Sequence, residues 1–301
     1  MKTAVTIGNF DGVHRGHRTL IENLMDWKRQ HHEPVRTAVV TFEPHPAEVL
    51  KGIIIPRLTS PNERIHLIQQ LGIDEVRVLP FSKEFSLTPA RTFFEKLLVR
   101  DLEAAYVVIG HDFFFGHNRE GTPGQMLDWC KALGIPSKLI EPIEADGAVV
   151  SSSRIRQLIS EGHMIAASRL LGRDYSITSE VIHGDKRGRL LGFPTANIIP
   201  ITDGIGSRCI PAYGVYLSSS TVEGKTFPSI TNVGVKPTVS HSGHLVIETH
   251  LLDFDGDLYG KQLTVEFRDR LRGEKKFPNL EALTQQIQAD INTARSRLIT
   301  L

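Results

Sequence analysis

With 301 residues the chain is long for a single hydrophobic core, so two domains are expected, each able to bury a sizeable one. Its 35 Lys and Arg offset 34 Asp and Glu to a net charge of +1, which gives no broad footprint for nucleic acid or an anionic membrane and leaves small anionic ligands to local clusters. The two cysteines, Cys130 and Cys209, make no disulfide framework, no run reaches the roughly eighteen apolar residues of a membrane span, and a strand begins almost at Met1, so a cytosolic protein without an export signal is expected.

Thr3 to Ile7 is apolar and rich in β-branched residues and reads as a buried strand. Gly8-Asn9-Phe10-Asp11-Gly12 forces a tight turn, and helical spacing resumes from Arg18 to Met25. In an open α/β sheet such a junction lies at the carboxyl end of a strand, where ligands bind and unpaired helix amides favour anions, phosphate above all. The glycines fit neither the phosphate-loop pattern nor the spaced dinucleotide fingerprint. In their place stands His14-x-Gly16-His17, two imidazoles three residues apart that can donate to phosphate oxygens; solvated turn histidines or half of a zinc site are the alternatives.

Further strands are expected at Val35 to Phe42, Val76 to Leu79, Ala105 to Ile109 and Ser137 to Ile140. Helical segments separate them, from Pro61 to Leu71, from an N-cap at Thr88 with Pro89 first in the helix towards Leu98, and from Gln125 to Leu133. That alternation predicts a doubly wound parallel sheet, with the motifs in loops that follow strands. Two of those loops, Phe42-Glu43-Pro44-His45-Pro46 and Asp112-Phe113-Phe114-Phe115-Gly116, carry more ring surface than a solvated turn needs. A planar heteroaromatic ligand would explain them, as would a hydrophobic plug closing the sheet. Ser151-Ser152-Ser153-Arg154-Ile155-Arg156 reads as an N-capped helix start offering amides, hydroxyls and a guanidinium able to grip phosphate, or as an ordinary cap. The helical segment from Ser152 to about Leu171, broken at Gly162, is taken as the end of the first domain, residues 1–172.

From Tyr175 the pattern changes to short strands between Gly- and Pro-rich turns: Val181-Ile182, Gly214 to Leu217, Leu245 to His250 and Leu263 to Phe267. Residues 173–301 are therefore expected to form an antiparallel barrel or sandwich, closed by a helix from Leu280 to about Leu298 with Leu283, Ile287, Ile291, Ala294 and Leu298 at helical spacing. Between Val181-Ile182 and Gly214, the glycines Gly184, Gly188 and Gly192, interleaved with Lys186 and Arg189, make a loop whose amides could cover polyphosphate. Thr195 and Asn197, two apart on extended backbone, aim two oxygens the same way, as magnesium requires of the one or two protein groups it uses beside nucleotide phosphates. Glu248, on an apolar strand with Val246 and Leu252, sits at a barrel rim or has a partner or a job.

Gly8-Asn9-Phe10-Asp11-Gly12-Val13-His14-x-Gly16-His17 resembles the nucleotide-binding signature of the bacterial bifunctional riboflavin kinase/FAD synthetase family, within the wider HxGH nucleotidyltransferases. Ser152-Ser153-x-Ile155-Arg156, Asp112-Phe113-x-Phe115-Gly116, Pro194-Thr195-Ala196-Asn197, Asn232 to Thr238 and Glu248 to Phe254 match the same family in order, over essentially the whole chain. The resemblance implies an α/β plus β fold: an N-terminal Rossmann-like nucleotidyltransferase domain with a doubly wound parallel sheet and a C-terminal antiparallel β-barrel kinase domain with a terminal helix. It implies ATP-dependent conversion of riboflavin to FMN with release of ADP, then adenylylation of FMN to FAD with release of pyrophosphate, both with Mg2+ and neither involving nucleic acid or membrane.

By that resemblance His14 and His17 stabilise adenylyl transfer, and Gly8, Asn9, Phe10, Asp11, Gly12, Ser152, Ser153 and Arg156 bind its ATP. Phe42, Pro44, Asp112, Phe113 and Phe115 face the flavin. In the kinase, Gly184, Lys186, Gly188, Arg189, Gly192, Thr195 and Asn197 bind ATP, with Thr195 and Asn197 as metal ligands and Glu248 as the base that takes the riboflavin hydroxyl proton. Arg270 and Arg272 either flank the flavin entrance or form a solvated face. The departures are Phe114 for a common arginine, Ser153 for threonine and Ser179 for a frequent glycine. The rivals are a nucleotidyltransferase for another small phosphate ester and a flavin-binding sensor without catalysis.

Overall fold

In a computed structural model of the chain, residues 2–31, 33–184, 188, 191–200, 207–236 and 244–298 are described. Packing divides the chain into two units, one running to Ser152 and taking in Ser207, the other starting at Ser153.

The first unit is an α/β sheet built from β1 (Thr3–Ile7), α1 (Arg15–Gln30), β2 (Arg36–Glu43), α2 (Pro46–Lys51), α3 (Pro61–Gln69), β3 (Glu75–Pro80), α4 (Lys83–Ser86), α5 (Ala90–Phe93), β4 (Ala104–Gly110), α6 (Pro123–Ala132) and β5 (Ser137–Ile140). A two-strand ribbon of β6 (Glu144–Ala145) and β7 (Ala148–Val149) follows. The five sheet strands pair in parallel in the order β3-β2-β1-β4-β5, the expected doubly wound arrangement. Strand order reverses between β1 and β4, so the loop after β1 opens at the topological switch point. β1 is buried along its whole length, with Val5 and Ile7 in one core and Ala4 in the other. The second core also takes Leu20, Ile21 and Leu24 of α1, each contributing about 1.5–3 kcal/mol, and this seats the helix start behind the β1 loop. Both cysteines are buried and neither forms a disulfide, and burial pushes the Cys130 thiol up to about 11.

Three local features differ from expectation. α1 starts at Arg15 because His14, not a usual cap, takes the capping role. α2 was hidden by Pro-His-Pro: His45 caps it, Glu48 closes the capping box and Pro46 sits in the first turn, where its missing N–H is harmless. Thr88 is not a cap. Pro89 holds that position without a side-chain bond, the Glu120 carboxylate accepts the Ala90 N–H at 2.7 Å, and α5 runs on as a π-helix over Phe94–Asp101.

The second unit holds α7 (Ser152–Glu161) from its second residue, α8 (Met164–Leu171), β8 (Tyr175–Ile182), β9 (Ala196–Ile198), β10 (Gly214–Val222), β11 (Lys225–Lys236), β12 (His244–Leu251), β13 (Gln262–Gly273) and α9 (Leu280–Leu298). The six strands close an antiparallel barrel in the order β10-β11-β12-β9-β8-β13. Its interior carries hydroxyls as well as hydrocarbon: Ser218 and Ser229, Ser220 and Ser229, and Ser218 and Thr231 bond at 2.7–2.8 Å. α9 lies on the outer face, where Ile287, Ile291 and Ala294 meet Val215, Leu217, Ile230 and Leu252. Sequence pattern changes at Gly172, whereas packing changes at Ser152. α8 buries Met164, Ala167, Leu170 and Leu171 and packs on β8 and β13, and the α7 carbonyl of Ile159 accepts the Ala212 N–H.

Ser179, the departure from glycine, is ordinary strand backbone, and its hydroxyl donates to the Ile199 carbonyl at 2.6 Å. The Arg272 guanidinium donates in a fork to the buried Asp290 carboxylate of α9 at 2.9–3.2 Å. Asp290→Ala leaves that guanidinium unmatched and should destabilise the second unit by about 2 kcal/mol in urea denaturation of the full chain, whereas a midpoint equal to the parent's would contradict a tethering role for the pair.

Candidate active sites

In the first unit the β1 strand delivers the loop residues in a fixed conformation. Gly8 N–H donates to the Val40 carbonyl at 3.0 Å, and the Asn9 carbonyl accepts from the Thr41 hydroxyl at 3.0 Å. Phe10, at φ 52°, turns its ring into the core beside Val13. The Asp11 carboxylate is buried and accepts the Leu58 and Thr59 amides at 3.0–3.1 Å, while Gly12 N–H donates to the Thr59 hydroxyl at 3.0 Å. Phe10 and Asp11 therefore shape the loop from behind, with their side chains turned into the unit. The hydroxyl of Ser152, the last residue of the first unit, donates to the Asp11 carbonyl at 2.9 Å.

His14 and His17 stack, with ring centroids 3.6 Å apart and planes 13° apart. His14 Nδ1 accepts the His17 amide at 3.4 Å, which assigns the His14 proton to Nε2. Burial, then His14, then Arg64 hold His17 well below the ordinary imidazole range, so it is a neutral donor at pH 7. Its Nδ1 is buried without a hydrogen-bond partner among the described residues. Two stacked imidazoles at a helix start suit hydrogen bonding to phosphate oxygens, and no group of His, Cys, Asp and Glu able to hold a metal occurs among the described residues.

The aromatic loops divide. Phe42 is buried against Phe81 and Phe85, and Phe115 against Phe93 and Trp129, so these two close the core as a hydrophobic plug would. Pro44 and Phe113 are half-buried and Asp112 is exposed, which leaves them at the surface. Phe113 stacks on Phe115 at 5.4 Å, and Phe114 lies under the Arg119 guanidinium at 4.7 Å. Sequence reading missed the charge cluster of buried Arg57 and Arg64 with half-buried Glu43 and Glu48, because single charged residues on separate elements carry no spacing signal.

In the barrel, strand register assembles the second site. Asn197 of β9 pairs with Glu248 of β12, which pairs on its other side with Asn232 of β11, so three polar side chains stand abreast. His250, two residues along β12, bonds the Pro194 carbonyl at 2.7 Å and fixes the start of the Pro-Thr-Ala-Asn segment. A Cβ on Gly184 would lie 2.4 Å from Asn197 Nδ2, and one on Gly188 would lie 2.4 Å from the Phe193 carbonyl and 3.3 Å from Thr195 Oγ1. The two glycines thus cradle Thr195 and Asn197, while Gly192 is exposed at φ 82° in the turn before them. Lys186 and Arg189 lie outside the described residues. Arg272 is committed to Asp290, and Arg270 donates to the Tyr213 carbonyl at 2.6 Å with its stem across Gly162, so neither forms a simple solvated face. Asn232 was visible in the sequence only as part of a matching string; register gives it a place beside Glu248. Gly184→Ala should slow turnover at this row about a hundredfold by displacing the Asn197 amide, and steady-state kinetics as fast as the parent's would show that the close approach carries nothing.

Residues 1–154 match the family model described as FAD synthetase, and residues 171–298 match the one described as riboflavin kinase. The chain belongs to the bifunctional riboflavin kinase/FMN adenylyltransferase family. It is 38% identical to the protein of that name from Pseudomonas fluorescens and 36% identical to the one from Escherichia coli K12, each match covering 97% of this chain and 91% of the relative. A crystal structure titled macrolide-efflux protein, from Streptococcus pneumoniae, superposes with a TM-score of 0.88 at 28% identity, covering 98% of this chain and 94% of that one. The two family segments occur in the order expected from the motifs, the histidine loop in the first and the Asn197–Glu248 row in the second.

Proposed function

We propose that this chain phosphorylates riboflavin to FMN at the Asn197–Glu248 row and adenylylates FMN to FAD at the histidine loop, using one ATP in each step. Residues 173–301 are assigned to the first reaction and residues 1–172 to the second. The observation that carries the reading is that Glu248, Asn197 and Asn232 share one register row, with Gly184 against the Asn197 amide.

In the kinase step the riboflavin 5′-hydroxyl oxygen bonds to the γ-phosphorus, the bond to ADP breaks, and Glu248 accepts the hydroxyl proton. Thr195 and Asn197 would hold Mg2+, whose demand for hard oxygens and few protein ligands they meet, and the bound ion would neutralise phosphate charge. Gly184 and Gly188 keep those two side chains at the floor of the loop. In the adenylyl step an FMN phosphate oxygen bonds to the α-phosphorus and pyrophosphate leaves. His14 and His17 donate to oxygens that gain charge, the loop from Gly8 to Gly12 offers amides, and Ser152, Ser153 and Arg156 hold the leaving pyrophosphate. Pro44, Asp112 and Phe113 border the flavin. Arg270 is kept as a flank of the kinase flavin entrance, with Arg272 as the tie that positions that strand end.

Among the described residues no helix is long and apolar enough to cross a membrane. We place the work in the cytosol, where the thiols of Cys130 and Cys209, which form no disulfide, stay reduced. Incubating the full chain with riboflavin, excess ATP and Mg2+ and following flavins by chromatography should give FMN first and then FAD. Flavin binding without ATP turnover would instead make the chain a sensor, and adenylylation of nicotinamide mononucleotide or phosphopantetheine in place of FMN would move it to another nucleotidyltransferase specificity.

A further inference from the structure

Four charged side chains, two buried arginines and two half-buried glutamates, cluster where β1 and β2 end. Arg57 Nη2 is 3.0 Å from Glu43 and 2.6 Å from Glu48, and Arg64 Nη2 is 2.9 Å from Glu43. Of the two arginines, Arg64 reaches the histidine loop. It projects from α3, is 1% exposed, and donates from Nη1 to the Asn9 carbonyl at 3.2 Å and from Nη2 to the Phe42 carbonyl at 3.3 Å. One planar guanidinium therefore joins the loop that leads to His14 to the strand end that leads to Pro44, with Glu43 as counter-ion. Its Nε is buried and makes no hydrogen bond among the described residues, so this cation is held for what its two terminal nitrogens reach. A buried charge is costly, and an apolar side chain of the same volume would leave two carbonyls and part of a carboxylate unmet.

We propose that Arg64 is a positioning residue for adenylyl transfer, clamping the Asn9 loop to the Phe42 strand end so that the nucleotide and flavin phosphates meet in one geometry, with its fixed charge behind the histidines. The proposal rests on the adenylyltransferase reading of this unit. The groups that act on His17 are His14, the cap of its helix, and Arg64 from α3; Glu43, Arg57 and Asp11 act at one remove, through Arg64. Arg64 opposes protonation of His17, so its removal should raise the pH at which His17 titrates.

The test uses the full chain with Arg64→Met, which removes the charge and the clamp, and Arg64→Lys, which keeps the charge and loses the two-carbonyl reach. FAD formation from FMN and ATP is measured with riboflavin phosphorylation in the same preparation as control. The His17 titration is followed by NMR of histidine-labelled protein, assigned by its absence in His17→Gln. Both variants should lose at least about tenfold in kcat for FAD with the kinase intact, and the His17 inflection should move to higher pH in Arg64→Met but not in Arg64→Lys. Parental kcat and an unmoved inflection in Arg64→Met would overturn the proposal. If that variant fails to fold, Arg64→Lys decides alone: reduced kcat for FAD supports the clamp, and parental kcat overturns it. A parent that makes no FAD would sink the adenylyltransferase reading itself.

Discussion

His17→Ala should stop FAD formation while leaving FMN formation untouched. In the adenylyl step no protein nucleophile is used, so the rate rests on alignment and on donors aimed at the oxygens that gain charge. Loss of one such donor costs on the order of 3 kcal/mol, a hundredfold or more in rate. His17 is well placed for this loss to be specific: its ring stacks on His14 at 3.6 Å and meets Phe10 at 4.9 Å, and all three residues belong to the first unit. His17→Gln, which keeps an N–H donor, should recover part of the rate. The same variant carries a stability signature. His17 is held neutral in the folded chain while the unfolded chain protonates it near the ordinary value of 6.5, so the first unit should lose stability as pH falls below about 6.5, and His17→Ala should lose less. Chromatography of flavin products and acid denaturation of the two proteins check both parts; undiminished FAD synthesis by His17→Ala would remove the histidine from the reaction.

Glu248→Gln should have the complementary effect, with riboflavin phosphorylation down about a hundred- to ten-thousandfold and FAD formation from supplied FMN unchanged. The amide keeps the shape and the hydrogen-bonding reach of the carboxylate beside Asn197 and Asn232 but does not accept the hydroxyl proton. A raised KM with unchanged kcat would assign Glu248 to binding instead.

The sheet was legible because β-branched runs, glycines and helical spacing recur in phase, and α9 was read to its ends from Leu283, Ile287 and Ile291. β9 and β11 were not. The former is three residues long, and along the latter Ser229 and Thr231 face a hydroxyl-lined interior, which erases the alternation a strand is recognised by. The site motifs themselves were legible, since they are local strings. The work of Asp11 was not, because its partners Leu58 and Thr59 lie 47 and 48 residues away, and Arg64 reads in sequence as one more helix arginine. The same holds for Arg272, whose partner Asp290 belongs to a different element.

Two reactions at two sites, joined by free FMN, are tested most directly by mixing the two single variants. Alone with riboflavin, ATP and Mg2+, His17→Ala should stop at FMN and Glu248→Gln should make almost nothing; together they should make FAD. A mixture that accumulates FMN without FAD would contradict the assignment of an intact adenylyltransferase to the Glu248 variant, and with it the separation of the two sites.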